Sequence, residues 1–289
     1  MEGIDAILRR ADALLDRLEA LTGDEPPGAP PWSDFRAFRW RHGGRGHRLE
    51  PVAHPHGIAL DDLLCMDDQK ADMVRNTRQF VASLPANHVL LWGSRGTGKS
   101  SLVKAVLNGF AGQGLRLIEL EKPGLADLPC IIELVAGRPE KFMLFCDDLS
   151  FESDDPSYKS LKAILDGSVA APPENLMLCA TSNRRHLMPE YRRENLEARS
   201  IDGEIHQGES VEEKVSLSDR FGLWLSFHPF SQDQYLAIVA HWLGRLDAPA
   251  SDPEALRRAA LQWALRRGSR SGRTAWQFAR DWAGRHALD

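Results

Sequence analysis

Residues Gly93-Ser94-Arg95-Gly96-Thr97-Gly98-Lys99-Ser100 fit the phosphate-binding pattern G-x-x-x-x-G-K-[ST], between an apolar run at 88–92 and a helix-forming run at 101–107. Strand, glycine loop and helix in that order leave few folds open, because the helix must pack back on a parallel sheet and leave the loop at the sheet's C-terminal edge. Glycines are required where backbone N–H groups wrap a polyphosphate and a Cβ would obstruct the approach. The pattern assigns Gly93, Ser94, Arg95, Gly96, Thr97, Gly98, Lys99, Ser100 and Ser101 to nucleotide binding. Lys99 serves the β- and γ-phosphates, the Ser100 hydroxyl serves Mg²⁺, and the helix that starts at Ser101 turns its N-terminal dipole toward the negative charge.

The chain's 289 residues, 43% of them hydrophobic, suit one α/β domain with a smaller companion. A net charge of −5 excludes a chain-wide basic field that would hold the protein on nucleic acid, so any such contact must be local. No apolar stretch is long enough to span a bilayer, and Met1-Glu2-Gly3-Ile4-Asp5 lacks the features of a signal peptide. A cytoplasmic location without membrane contact is the expectation. Cys65, Cys130, Cys146 and Cys179 share no metal-ligand spacing, which predicts four small buried hydrophobes in a reducing compartment and no zinc site.

Ile4, Leu8, Ala11, Leu15 and Leu18 recur at helical spacing and mark an amphipathic helix over 1–22, which packs on the main domain or meets a partner. The proline-rich stretch 23–32 reads as a linker. Residues 33–57 read as an arm, in which aromatics and arginines interleave from Phe35 to Arg48 around Gly43-Gly44 and Gly46. Two readings of the arm stay open: contact with nucleic acid bases and phosphates, or cover for its own domain with the arginines paired to surface carboxylates. From 58 to 229 apolar runs at 115–120, 142–146, 176–180 and 223–227 join the first, with helical stretches near 100–112, 124–136 and 157–168 between them, which predicts a parallel α/β sheet. From 230 to 289 three helices are signposted, by Ser231 with Gln234, by Asp252-Pro253 and by Ser271-Gly272.

The strand at 142–146 ends in Asp147-Asp148, beside the phosphate loop if the sheet is parallel. Asp147 is assigned to Mg²⁺ and Asp148 to the attacking water, against a plain helix-capping role for Asp148; Glu152, farther from the strand end, is the alternative base. Asn183 closes the next strand and either contacts the γ-phosphate or water, or is a turn residue. Arg220, within Ser218-Asp219-Arg220-Phe221-Gly222, is placed for a neighbouring subunit's nucleotide or for an intrachain salt bridge. Arg273, on the first turn of the last helix, reaches the nucleotide from the helical subdomain or serves as surface packing.

In order and spacing these motifs resemble the AAA+ ATPases. More closely, the segments 91–100, 145–151, 180–187 and 215–225 resemble a bacterial P-loop ATPase family catalogued as domain of unknown function 815, over about residues 33–289. The resemblance implies Walker A, Walker B, sensor-1, arginine-finger and sensor-2 roles, a five-stranded sheet of order 5-1-4-3-2, and a helical lid. It also implies ATP and Mg²⁺ as ligands and a homo-oligomer in which Arg220 acts in trans. Many AAA+ proteins carry Asp-Glu where this chain has Asp147-Asp148; the Asp-Asp of the replication-initiator and helicase-loader branch is similar, and hints at slow, switch-like hydrolysis.

Three functions follow as alternatives: an ATP-hydrolysing remodeller of a protein or nucleic-acid partner, a nucleotide-gated binding module with little turnover, and a small-molecule kinase. The Asn183 strand and the lid with Arg273 weigh against the kinase. The polar stretch from Arg184 to Gly208 is long for a connection and is a candidate partner contact.

Overall fold

The computed structural model describes residues 30–41, 48–151, 155–165, 173–185, 187, 199–201, 204–206, 217–248 and 252–287. The expected helix at 1–22, most of the linker, and Glu152 lie outside them. The chain divides into residues 1–34 and residues 35–289. Of the first unit only 30–34 is described, a tight turn in which the Trp32 N–H donates to the Pro30 carbonyl at 2.8 Å.

The second unit is built on one sheet. Its strands are β1 (Ala37–Arg41), β2 (Arg48–Pro51), β3 (Val89–Gly93), β4 (Leu115–Leu120), β5 (Lys141–Cys146), β6 (Leu176–Ser182) and β9 (Leu223–Phe227). They lie in the order β2-β1-β4-β5-β6-β3-β9, and only the β1–β2 pair is antiparallel. The five-stranded sheet of order 5-1-4-3-2 that the resemblance implies is therefore corrected to seven strands among the described residues, six of them parallel, with the five expected strands in consecutive places β4-β5-β6-β3-β9. β7 (Arg199–Ile201) and β8 (Glu204–His206) form a separate ribbon inside the stretch read as a polar connection.

The central strands are apolar throughout because helices cover both faces. Every residue of β6 is buried, as are Phe142 to Cys146 in β5. Helices α1 (Asp67–Val81), α2 (Lys99–Phe110), α3 (Leu128–Val135) and α4 (Pro156–Leu165) supply that cover. The sequence reading had no counterpart for α1. Its buried Asn76 trades hydrogen bonds with Asn87, 2.9 Å to that residue's carbonyl and 3.0 Å from its N–H, and so ties the turn before β3 to the helix. Register then sets the site: Leu91 pairs with Thr181 and Cys146 with Ala180, which brings the C-terminal ends of β3, β5 and β6 to one edge.

β1 and β2 come from the segment read as an arm. In β1, Phe38 and Trp40 are buried while Arg39 and Arg41 alternate outward, the period-two pattern of a strand. Trp40 also donates its indole N–H to the buried Asp127 at 2.9 Å. Of the cysteines only Cys146 and Cys179 are buried; Cys130 is exposed, so the expectation of four buried thiols is corrected. Cys130 lies on the outer side of a short helix, where the strand-like environment of the other two is absent. Burial pushes the Cys146 thiol up to about 12.

Three helices follow β9: α5 (Gln232–Arg245), α6 (Pro253–Arg267) and α7 (Gly272–His286). Each starts where the caps predict. Ser231 and Gln234 form a reciprocal capping box, Asp252 accepts from the N–H groups of Glu254 and Ala255, and Ser271 accepts from Thr274. Tyr235 of α5 is fully buried and donates to the Ala260 carbonyl of α6 at 3.1 Å, while Phe278 of α7 packs edge-on against Trp263.

Candidate functional site

The loop after β3 is built on glycines whose backbone no other residue adopts cheaply. Gly93 has a φ of 132° and a Cβ there would meet the Phe227 carbonyl oxygen at 2.0 Å; Gly98 has a φ of 103° as the residue before α2. The Lys99 side chain is almost fully buried. Its ammonium donates to the carbonyls of Gly93 and Ser94, each at 2.8 Å, and to Asn183 Oδ1 at 3.2 Å. Burial pulls its pKa below the ordinary lysine value, Asp148 and Asp147 oppose that fall, and Arg95 and Arg273 add to it.

At the end of β5, Asp147 Oδ1 accepts from the Ser100 and Thr181 hydroxyls, both at 2.6 Å. Thr181 Oγ1 in turn accepts the Asp148 N–H at 2.9 Å. Asp148 has a φ of 52°, a conformation rare for a residue with a Cβ. Asn183 donates its amide to Asp148 Oδ1, and Arg95 lies 3.9 Å from Asp148 Oδ2. Lys99, Ser100, Asp147, Asp148 and Asn183 thus meet, although they come from three segments of the chain.

They line a cleft of about 710 Å³ together with residues 95–98, Ser101 and Arg273. Gly93 and Ser94 do not line it; their carbonyls hold Lys99 instead. Arg220 does not line it either, and is half-buried on the short turn before β9. The lid is joined to the loop through its backbone, since Gly272 N–H donates to the Gly96 carbonyl at 2.9 Å and so carries Arg273 to the cleft.

The sequence reading missed the other half of the cleft. Leu63, Leu64 and Met66 from the segment before α1 face Ile238, Trp242 and Trp276 from the lid, giving an apolar chamber next to the phosphate loop. The Trp242 and Trp276 rings meet at a tilt, with centroids 4.6 Å apart and planes at 58°. Asp62, buried at the chamber's edge, accepts from the Ala59 N–H at 2.9 Å and lies 3.2 Å from His241 Nε2 and 3.3 Å from Arg245 Nε. The run Leu63-Leu64-Cys65-Met66 between two acidic pairs was the one local signal for it. Thr181 was missed as well, because a threonine inside a strand reads as sheet propensity.

Chemically, the cleft offers a cation that can meet phosphates, a hydroxyl and a carboxylate that can share a divalent metal, a second carboxylate with an amide beside it, and an apolar chamber walled by two tryptophans. Mg²⁺ needs only one or two protein ligands, its remaining positions going to water and phosphate oxygens, so the Ser100–Asp147 pair fits it. No cluster of three or more His, Cys, Asp or Glu able to hold a metal exists among the described residues, nor any helix long and apolar enough to cross a membrane.

This sheet, loop and lid define the P-loop fold of the AAA+ class. The chain belongs to the family described as "Protein of unknown function (DUF815)", which it matches over residues 33–286. The Holliday junction branch migration motor RuvB of Thermotoga maritima superposes with a TM-score of 0.51 at 16% identity, over 77% of this chain and 63% of that one. Two variants of the same RuvB give 0.51 and 0.52 with equal coverage and identity. The chain therefore spans a little under two thirds of the RuvB structures it resembles. No curated protein matches the sequence significantly.

Proposed function

We propose that the chain binds MgATP in the cleft, hydrolyses it, and uses the lid's response to switch or remodel a macromolecular partner. The observation that carries this reading is the meeting of Lys99, Ser100, Asp147, Asp148 and Asn183 in one cleft beside an apolar chamber. ATP would lay its base against Trp242 and Trp276 and its phosphates along residues 95–100. Lys99 would exchange its two loop carbonyls for β- and γ-phosphate oxygens, a stronger charge-assisted pairing. Ser100 and Asp147 would hold Mg²⁺, which when bound neutralises phosphate charge.

Asp148, oriented by Asn183, accepts a proton from the attacking water, and Arg273 steadies the γ-phosphate from the lid. Arg220, outside the cleft lining, is assigned to a neighbouring copy's site, with residues 58–229 as the ATPase domain and 230–289 as the lid. Every assignment is to residues of a cytoplasmic enzyme that contacts no membrane.

A second reading, a nucleotide-gated module with low turnover, is favoured by one observation: Asp148 is engaged by Asn183 and has Arg95 close by, contacts that would have to loosen before it could take a proton from water. The likeness to a branch migration motor supports ATP-driven motion; DNA as the partner is not supported by the arm, in which Arg39 is paired with Glu119, Arg41 with Glu50 and Glu121, and Arg48 with Glu50. The test is binding of a fluorescent ATP analogue with and without Mg²⁺, alongside phosphate release. Mg²⁺-dependent binding with turnover is expected. Binding without turnover selects the second reading, and no binding at about 1 mM nucleotide, the upper end of ordinary KM values, sinks both.

A further inference from the structure

A second cavity, of about 630 Å³, borders the phosphate loop through Ser94, Arg95 and Thr97 but includes neither Lys99, Ser100 nor the two acids. That volume lies within the range of about 300–1,000 Å³ usual for ligand pockets. Its floor is apolar, formed by Phe230, Leu261, Ala264 and Leu265, and its far wall is the elbow between α6 and α7. No acidic side chain lines it, whereas Arg95 and Arg270 do, both exposed. Arg270 forms no ion pair with a described carboxylate, and the same holds for the exposed Arg257, Arg258 and Arg266 of α6. Leu265 stands 82% exposed, more than Leu84, the other exposed large hydrophobic among the described residues.

An exposed leucine at the lip of an apolar cavity, with two arginines on its lining, Arg270 free of any described carboxylate and Arg95 held only by a 3.9 Å approach to Asp148, calls for a ligand that is apolar at its centre and anionic around it. A phosphodiester chain would satisfy the arginines but gain nothing from Leu261, Ala264 and Leu265. We infer that this cavity docks an acidic segment of a partner protein, which inserts a large apolar side chain beside Leu265 and sets its carboxylates against Arg270 and Arg95. The occupant would touch the phosphate loop and the elbow at once. Thr97 Oγ1 donates to the Ser94 carbonyl at 2.8 Å, and Gly272 N–H donates to Gly96, so pressure on the elbow reaches the loop and Arg273 together. The site thereby supplies the partner class for the switch proposed above; only its effect on turnover rests on that reading.

The experiment selects peptides from a random displayed library on the full-length protein without nucleotide, then measures the winners by anisotropy on wild type, Leu265→Asp and Arg270→Glu. Both substitutions fall on exposed side chains outside the ATP cleft, so circular dichroism and ATP-analogue binding should match wild type. Enriched peptides should carry Asp or Glu beside a large apolar residue and should bind each variant at least about tenfold more weakly, as loss of a central anchor does elsewhere. Added peptide should also change phosphate release by the wild type. Three results would overturn the site: no enrichment, winners without acidic residues, or binding indifferent to both substitutions. Displacement of the winners by single-stranded DNA that shows the same sensitivity to both variants would overturn it too, by making the surface a nucleic-acid contact. Because peptide binding is read without nucleotide and ATP binding without peptide, failure of one leaves the other standing.

Discussion

Two glycine-bearing, cationic segments of this chain have opposite fates. In β1 and β2 the arginines find carboxylates: Arg39 meets Glu119 at 3.0 Å, and Arg41 meets Glu121 at 3.1 Å and Glu50 at 3.3 Å. In the phosphate loop Lys99 has no such ion pair among the described residues; it is buried against backbone carbonyls and an amide, and its pKa falls. Both segments offer positive charge to the reader of the sequence. A cation with carboxylate partners on its own sheet is spent on local structure, whereas one held buried by carbonyls alone keeps its charge for a ligand.

The largest expected effect breaks the loop half of that comparison. Lys99→Ala should reduce ATP binding and turnover to background without lowering the melting temperature, since the side chain serves the cleft and not the packing beneath it. A wild-type turnover rate in that variant would remove the loop from the chemistry. Lys99 also implies a pH dependence that arginine pairs do not share. Phosphate binding raises the ammonium's pKa, so affinity is full while the free protein's lysine is protonated and is lost as pH climbs through its depressed value. The loss should begin below lysine's ordinary 10.5. Calorimetry in buffers of different ionisation heat would show the accompanying proton uptake.

Arg220→Ala should bind ATP normally and lose about 10³–10⁵ in turnover, the range that trans-acting arginines supply in other P-loop enzymes. Mixed with Lys99→Ala, it should recover activity that neither variant has alone, because one supplies an intact cleft and the other an intact arginine. Co-assembly without recovery would return Arg220 to a role within its own chain. Here the comparison sharpens: a third cation, neither in the cleft nor in the β1–β2 ladder, is assigned by what its loss does to a neighbour.

Asp148→Asn should keep MgATP affinity and slow hydrolysis by about 10²–10⁴, the worth of a positioned general base. Asp147→Asn should instead raise the Mg²⁺ concentration needed for binding, because Asp147 is the acid hydrogen-bonded to Ser100. Equal defects in both variants would mean that the two acids act as one unit.

What the sequence made legible follows from distance along the chain. The phosphate loop, the helix caps at Ser231, Asp252 and Ser271, and the apolar parallel strands are local patterns, and local patterns survive the absence of a structure. The apolar chamber joins segment 63–66 to Trp242 and Trp276, about 180 to 210 residues apart, and nothing in either segment names the other. β1 is a different kind of miss. Its alternation Phe38-Arg39-Trp40-Arg41 was visible, but the neighbouring glycines and the density of arginine suggested an arm, and only Glu119 and Glu121 on β4 reveal why a strand can carry that charge. The left-handed Asp148 was not legible either, since aspartate is enriched in that conformation but adopts it at only a few of its positions.

The smallest effects test the structural half of the comparison. Trp40→Ala removes a buried side chain and its bond to Asp127, and should cost about 3–5 kcal/mol of stability. Arg39→Ala breaks only a half-exposed pair with Glu119 and should cost at most about 1 kcal/mol, less in high salt. Denaturant titration at two salt concentrations separates the two. Neither change should weaken ATP binding in folded protein, nor confer salt-dependent affinity for single-stranded DNA. If Arg39→Ala instead left stability unchanged while abolishing DNA binding that the wild type displays, the β1 arginines would belong with Lys99 as charge kept for a ligand, and the distinction drawn from their carboxylate partners would fail.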